Sequence, residues 1–165
     1  MNMTQIVILY ILTKYNATIY RLRKISEEFL FAYLKTSTGT FVPVLNKLEK
    51  DGFVKHNEKM SDGGLLSKIY EITPEGKKYL AKLLLEFQSS NPYHVLNEVK
   101  IALYCSDILS LSELIQFKEN ILNVLELYKV KLEKGLENQY VELNELQKNT
   151  VKVTLEEVEN LKKLL

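Results

Sequence analysis

The amino-acid sequence predicts a mainly α-helical protein with one small β-hairpin, in which an N-terminal domain is followed by a C-terminal helical arm. Three observations support this prediction. Apolar residues recur at spacings of three and four along most of the chain, which is the pattern of helices with one buried face. Residues 53–72 instead combine strand-forming residues with a glycine-rich turn. A polar stretch that ends at Pro92 separates the halves, which we assign to residues 1–90 and 91–165.

The N-terminal half is expected to contain three helices before the hairpin. Residues 6–13 are apolar on several sides, and residues 18–33 carry a second apolar stripe. Ser37 or Thr38 can cap the third helix, because a hydroxyl accepts a bond from an orphan N–H in the first turn. Asp51-Gly52 then stops that helix. Its expected buried stripe is Phe41, Val44, Leu45 and Leu48, while Thr40, Asn46, Lys47 and Lys50 fall largely off that stripe and face solvent or a groove.

The hairpin follows directly. Phe53-Val54 begins one strand, Lys68 to Ile72 suits its partner, and the run from Ser61 to Gly64 is a turn sequence. Thr73 then caps the next helix, with Pro74 in its first position. This order of helix, hairpin and helix is that of a winged helix-turn-helix, which presents a recognition helix and a wing to DNA. The alternative is a small α+β domain whose hairpin only packs.

Residues 6–80 resemble the DNA-binding domain of the PadR family of bacterial transcriptional regulators. The family's S-x-G-T-x-Y-P-x-L-x-x-L-E-x-x-G signature matches Ser37, Gly39, Thr40, Pro43, Leu45, Leu48, Glu49 and Gly52, and its wing motif matches Gly63, Gly64, Lys68, Tyr70, Thr73 and Gly76. A short motif that ends in tyrosine is matched by Ala17 to Tyr20. Three positions depart from the pattern: Val42 replaces a tyrosine, Ser67 an arginine and Ile19 a glycine. Two of these changes remove groups expected to contact phosphates.

The resemblance implies a dimeric DNA-binding transcriptional regulator, a repressor, which reads a palindromic operator with a recognition helix and a wing. Together with the helix pattern, it predicts the residues that contact DNA. They are Tyr20, Ser37, Thr38, Thr40, Asn46, Lys47, Lys50, Lys59, Ser61 and Lys68. No cofactor and no metal is expected. The alternative function is a winged-helix adaptor that binds a protein partner with little or no DNA binding, which the substitutions at Val42 and Ser67 favour.

The charges are divided unequally between the halves. Residues 1–90 contain 13 Lys and Arg against 9 Asp and Glu, a net charge of +4, and residues 91–165 contain 9 against 12, a net charge of −3. Because Lys and Arg supply most non-specific DNA affinity by releasing counterions, a modest excess predicts modest, salt-sensitive binding. An excess of this size is also ordinary for a protein surface.

The C-terminal half is predicted to form the dimer. Residues 95–108 suit one helix, Ser110 and Glu113 form a capping box that opens a long second helix, and Thr154 and Glu157 begin a short last helix over residues 155–165. Apolar residues continue at spacings of three or four as far as Leu146, a stripe too long to be buried within one small domain. We therefore predict dimer contacts at Leu125, Tyr128, Leu132, Leu136, Leu143 and Leu146. The alternative is a monomeric helical hairpin.

Other function classes have little support. His56 is most easily a surface residue of the hairpin, and neither it nor His94 has a cysteine or carboxylate pair at ligand spacing, so an enzyme is not expected. The single Cys105 lies in an apolar setting and suits a buried small hydrophobe. No apolar run approaches the membrane-spanning length of about 20 residues, which favours a cytoplasmic protein. The resemblance implies a small hydrophobic or aromatic effector, for which Phe87, Tyr93 and Tyr104 could line a pocket, although such residues are more often plain core.

Overall fold

The computed structural model describes residues 3–30, 38–60, 66–89, 91, 93–137, 140 and 142–165. In chain order the elements are α1 (Met3–Lys14), α2 (Ile19–Leu30), α3 (Thr38–Lys50), β1 (Val54–Met60), β2 (Leu66–Ile72), α4 (Pro74–Leu85), α5 (Val95–Tyr104), a 3-10 turn (Ser106–Ile108), α6 (Leu111–Leu136) and α7 (Glu145–Lys162). The predicted fold class is confirmed: the chain is mainly α-helical, with a winged helix followed by C-terminal helices.

Helix α1 is the centre of the core. It is apolar on all sides, as predicted, and every residue from Ile6 to Leu12 is buried. The helix packs against α2, α3, α4, α5 and β2. A helix that is hydrophobic all round is stable only when neighbours cover each side. Because α1 contacts both α4 and α5, it joins the winged helix to the C-terminal helices.

Helix α3 follows the predicted pattern closely. Its stripe of Phe41, Val44, Leu45 and Leu48 is buried, and the helix ends where Gly52 adopts a positive φ of 78°. A residue in this left-handed conformation terminates a helix, and glycine adopts it without a Cβ clash. The part of α2 predicted over residues 31–33 lies outside the described residues, as does Ser37, one of the two candidate caps.

The hairpin pairs β1 with β2 in antiparallel register, from Val54 opposite Ile72 to Met60 opposite Leu66. The predicted turn, residues 61–64, lies outside the described residues. An isolated bridge between Ala17 and Tyr70 attaches β2 to the segment before α2. At the base of the hairpin the Thr73 hydroxyl accepts the Gly76 N–H at 3.0 Å, which confirms the predicted cap of α4.

The C-terminal helices begin as predicted but divide differently. Helix α5 ends at Tyr104, four residues before the predicted end at Ile108. The Ser106 hydroxyl donates to the Leu103 carbonyl at 2.7 Å, and residues 106–108 tighten into the 3-10 turn. Such local side-chain bonds compete with continued α-helix. The predicted capping box of Ser110 and Glu113 is present at the start of α6.

The prediction of one helix as far as Leu146 is wrong. Helix α6 ends at Leu136, and α7 starts at Glu145 behind a second capping box, which Asn144 and Gln147 form. Thr154 does not begin the last helix, since it lies inside α7. Its hydroxyl donates to the Thr150 carbonyl of the preceding turn at 3.3 Å. The sequence pattern around Thr154 imitates a cap at a position where the backbone is already helical.

Helix α7 folds back along α6 and buries much of the stripe within one subunit. Lys129 donates to Glu159 at 2.9 Å and Lys162 to Glu126 at 2.9 Å, which makes the two helices antiparallel. One subunit therefore covers the first part of the stripe, whereas Leu146 at its end stays exposed. Of the predicted dimer residues, Leu125 is fully buried in its own chain, Leu146 is 77% exposed, and the others are half-buried: Tyr128, Leu132, Leu136 and Leu143.

Candidate nucleic-acid interface

One side of α3 is open to solvent. Thr40, Asn46, Lys47 and Lys50 are all exposed, opposite the buried stripe that fixes the helix to α1 and α2. Gly39 and Pro43 are exposed on the same side, in positions that the sequence analysis did not assign to the site. We call these six residues the recognition face. Its helical periodicity places them together, because residues three, four and seven apart share one side of a helix.

The edges of the recognition face differ in character. Val42 and Glu49 are half-buried and border the face on the side of the hairpin and core. The two cations lie in the C-terminal half of α3, with Lys47 and Lys50 in its last turn. Thr38 begins the helix, whereas Ser37 lies outside the described residues. The face therefore presents hydroxyl and amide groups with two lysines, a mixture suited to base edges and phosphates.

The hairpin carries two of the predicted contacts. Lys59 and Lys68 are exposed, whereas Ser61 lies outside the described residues. Lys59 lies directly opposite Ser67, and Lys68 lies opposite Glu58, so the field of Lys68 is partly offset by a carboxylate. Met60 and Leu66, the last cross-strand pair of the described hairpin, were not predicted as DNA contacts, and their side chains are 66% and 63% exposed. The end of the described wing thus has an apolar tip beside Lys59.

Tyr20 projects from the first turn of α2 and is 68% exposed. The Arg23 guanidinium lies 5.9 Å from the centre of its ring, within the range of a cation–π contact. The Thr18 hydroxyl accepts the Arg21 N–H at 3.2 Å and so caps the helix. Arg21 is exposed and was missed as a site residue, although a capping threonine followed by a first-turn arginine was visible in the sequence. A helix N-terminus with a nearby arginine is suited to phosphate.

The sequence suggested that His56 is a surface residue of the hairpin, but in the structure its side chain is mostly buried against Glu49. Its Nδ1 contacts Oε1 of Glu49, and both side chains are about three-quarters buried, with exposures of 25% and 29%. This contact joins the first half of β1 to the last turn of α3. No local pattern in the sequence predicts this pair, since it forms only when the hairpin folds beside α3.

The residues predicted to line an effector pocket do not meet. Phe87 is fully buried, Tyr93 is 89% exposed and Tyr104 is 45% exposed. Tyr93 precedes α5 and Tyr104 ends it, so a helix about 15 Å long separates them. Within one subunit, the two tyrosines therefore lie at opposite ends of α5. A cavity of about 350 Å³ lies instead between the end of α4, the start of α5 and α6, lined by Gln88, Ser89, Val95, Asn120, Asn123, Val124, Leu127, Tyr128 and Lys131.

Asn120 links this cavity to the winged helix. Its side-chain amide donates to the Phe87 carbonyl at 2.8 Å and to the Leu85 carbonyl at 3.2 Å. The last carbonyls of a helix lack intrahelical partners, so the amide from α6 completes the end of α4. A molecule in the cavity would touch the side chain that fastens α4 to α6.

Catalytic and metal chemistry find little support in the described part of the chain. No group of three or more His, Cys, Asp and Glu residues is placed there to hold a metal ion. Cys105 is buried, as predicted, and burial together with the Asp107 carboxylate raises the pKa of its thiol to about 12. His94 is exposed at the start of α5 and makes no capping bond through its side chain. None of the helices in the described residues is both long and apolar enough to span a membrane.

Comparison with known proteins identifies a family for the N-terminal part. The model of the transcriptional regulator PadR-like family matches residues 8–82. No curated protein matches the sequence. The solved structure of smu.1604c from Streptococcus mutans is 28% identical over 97% of this chain and 94% of that chain, with a TM-score of 0.46.

Two Bacillus subtilis PadR structures also match. The complex with operator DNA is 21% identical over 99% of this chain and 94% of that chain, with a TM-score of 0.52, a likeness of fold. The complex with p-coumaric acid is 18% identical over 98% and 90%, with a TM-score of 0.43. The family match covers the recognition face, the hairpin and most of α4. Residues 8–82 therefore form a domain that matches the transcriptional regulator PadR-like family.

Proposed function

We propose that this protein is a dimeric DNA-binding transcriptional regulator, a repressor that reads a palindromic operator. Residues 1–90 are the DNA-binding domain and residues 91–165 the dimerisation domain. The observation that carries the proposal is the recognition face, which is open to solvent within the subunit and carries Lys47 and Lys50. The same fold occurs in a Bacillus subtilis PadR that is in complex with operator DNA. The regulator acts in the cytoplasm by binding, without catalysis.

The contacts divide between base edges and backbone. Thr40, Asn46 and Lys47 enter the major groove, because a helix of this width fits there and their groups can bond to base edges. Lys50, Lys59 and Tyr20 meet phosphates. In the dimer, two recognition helices about 34 Å apart read half-sites one DNA turn apart. Ser37, Thr38, Ser61 and Lys68 complete the proposed contact set.

The dimer forms through the far ends of α6 and α7. Leu125 is covered by its own chain and supports these helices from within. Leu136, Leu143 and Leu146 stay at least partly open, and Leu146 is the most exposed of the predicted set. Burying such side chains against a second copy removes apolar surface from water, at about 25 cal/mol per Å². Tyr128 and Leu132 line the approach to this surface.

A small effector with an aromatic or hydrophobic body is proposed for the cavity beside Asn120. The lining combines apolar side chains, such as Val124 and Leu127, with amides and the Lys131 ammonium. A few polar groups in an otherwise apolar cleft are typical of ligand sites. Because Asn120 also holds the end of α4, binding there can change how the winged helix sits on the arm.

Titration of DNA from the chain's own upstream region tests the proposal. The wild type should form a complex whose affinity falls steeply between 50 and 200 mM salt. Alanine at Lys47 or Lys50 should weaken the complex, and alanine at Lys50, a proposed phosphate contact, should lower the salt slope by about one. Lys152→Ala in α7 is the matched control, since it removes an equal charge outside the DNA-binding domain. Absence of any complex at low salt would favour the protein-binding adaptor.

A further inference from the structure

We infer that His56 is a positioning residue, which through Glu49 sets the angle of the wing relative to the recognition helix. The inference rests on the proposed DNA-binding function and adds a residue that touches no DNA. His56 lies in β1 and Glu49 in the last turn of α3. Their side chains form a hydrogen-bonded pair, Nδ1 to Oε1, between the two elements that would contact the operator.

The strand direction explains why His56 faces α3. Successive side chains of a strand point to opposite faces, so His56 shares a face with Val54, which is only 2% exposed and belongs to the core. Glu49 follows the fully buried Leu48 and borders the recognition face. The Glu49 carboxylate therefore lies at the edge of α3 that borders the hairpin face carrying Val54 and His56.

A rigid support stands behind the imidazole. Tyr70 is the cross-strand partner of His56, their ring centres are 5.6 Å apart and tilted by 50°, and Tyr70 is 2% exposed. The Tyr70 main chain exchanges hydrogen bonds with Ala17 at 2.9 and 3.1 Å. Burial, and then the Glu49 carboxylate, raise the pKa of the Tyr70 hydroxyl. The imidazole is thus held between a fixed aromatic ring and a carboxylate of the recognition helix.

The geometry makes the pair a determinant of wing position. A strand of seven residues is about 23 Å long, so a tilt of about 10° at its base displaces its tip by about 4 Å. The base is held by the Thr73 N–H, which donates to the Phe53 carbonyl at 3.0 Å. His56 lies three residues beyond Phe53 and three residues before Lys59. Its contact with Glu49 therefore supports β1 midway between the base of the hairpin and the proposed phosphate contact at Lys59.

Hydroxyl-radical footprinting on the upstream DNA, with the full-length protein, tests the inference. His56→Phe keeps an aromatic ring against Tyr70 without the bond, and Glu49→Met keeps a side chain of similar length without the carboxylate acceptor. Each should lose the protection that flanks the half-sites, keep the central protection, and bind about tenfold more weakly. The double variant should be no weaker than either single variant, because both remove the same interaction.

A second ion pair of the hairpin supplies the control. Lys55 and Glu71 are 2.7 Å apart, one residue along the ladder and so on the opposite face of the hairpin from His56. Glu71→Gln should retain the flanking protection. Flanking protection that persists in both His56→Phe and Glu49→Met, with affinity within twofold of the wild type, would overturn the inference alone. No footprint from the wild type at low salt would overturn the proposed function and the inference with it.

Discussion

Replacing Gly76 with alanine tests how closely the start of α4 packs on the base of the wing. A Cβ built at Gly76 would lie 2.0 Å from the Phe53 carbonyl oxygen and 2.8 Å from Cγ1 of Ile72. Since carbon and oxygen approach to about 3.3 Å, the two segments would have to separate by more than 1 Å, a shift of about 1.3 Å. That movement would break the bond from the Thr73 N–H to the Phe53 carbonyl.

The expected loss of stability combines three contributions. Overpacking of a close contact costs about 1–3 kcal/mol, and a lost hydrogen bond costs about 1 kcal/mol more. The better helix propensity of alanine returns roughly 1 kcal/mol. We therefore expect Gly76→Ala to lower the free energy of unfolding by about 2 kcal/mol, a large share of the roughly 5–15 kcal/mol of a typical domain.

Urea unfolding followed by circular dichroism measures this change. Gly135→Ala is the matched control, because a Cβ at Gly135 would meet nothing within 4 Å and the residue lies in the last turn of α6. The control should be slightly more stable than the wild type, by about 0.5 kcal/mol. A free energy of unfolding for Gly76→Ala within about 0.5 kcal/mol of the wild type would refute the reasoning, since it would mean that the segments separate without cost.

Three further predictions concern the C-terminal half. Asn120→Ala should cost about 2 kcal/mol in urea unfolding, because two carbonyls at the end of α4 lose their donor; a change below about 0.5 kcal/mol would contradict this. Cys105 should react with a thiol reagent at pH 8 only after urea unfolds the protein, since burial raises its pKa to about 12; rapid labelling of the folded chain would contradict the burial. Hydrogen bonds from Ser110 lower the pKa of Glu113 below its ordinary value of 4.5. The cap therefore stabilises the fold at a pH above 4.5, where Glu113 is ionised, and this stabilisation is lost as the pH falls through the lowered pKa. Ser110→Ala should reduce the loss in urea midpoint between pH 7 and pH 3, and an unchanged loss would count against the cap.

Local signals in the sequence predicted much of the fold. The buried stripe of α3 follows from helical periodicity, and the caps at Thr73 and Ser110 each depend on bonds within one helical turn. The same periodicity was enough to predict that Thr40, Asn46, Lys47 and Lys50 lie on the exposed side of α3. Features decided within about four residues could therefore be predicted without knowledge of the rest of the chain.

Features that depend on distant segments could not be predicted in this way. Apolar spacing runs through Tyr140 as if one helix continued, yet that side chain is 97% exposed, α6 ends at Leu136, and α7 begins at Glu145 and runs antiparallel to it. This antiparallel packing is favoured by contacts that only the folded pair of helices makes, such as Lys129 with Glu159. The Glu49–His56 pair likewise requires the hairpin to lie beside α3. Residue types alone do not specify such contacts between segments that are distant in the sequence.

The spacing of the two recognition faces tests the central claim most directly. A spin label at position 47, in a chain whose Cys105 is replaced by serine, allows the distance between two copies to be measured by electron paramagnetic resonance. We expect a dimer with a distance of about 34 Å, so that both helices meet successive major grooves on one side of a duplex. A monomer, or two labels on opposite poles of the assembly at about twice that distance, would contradict it.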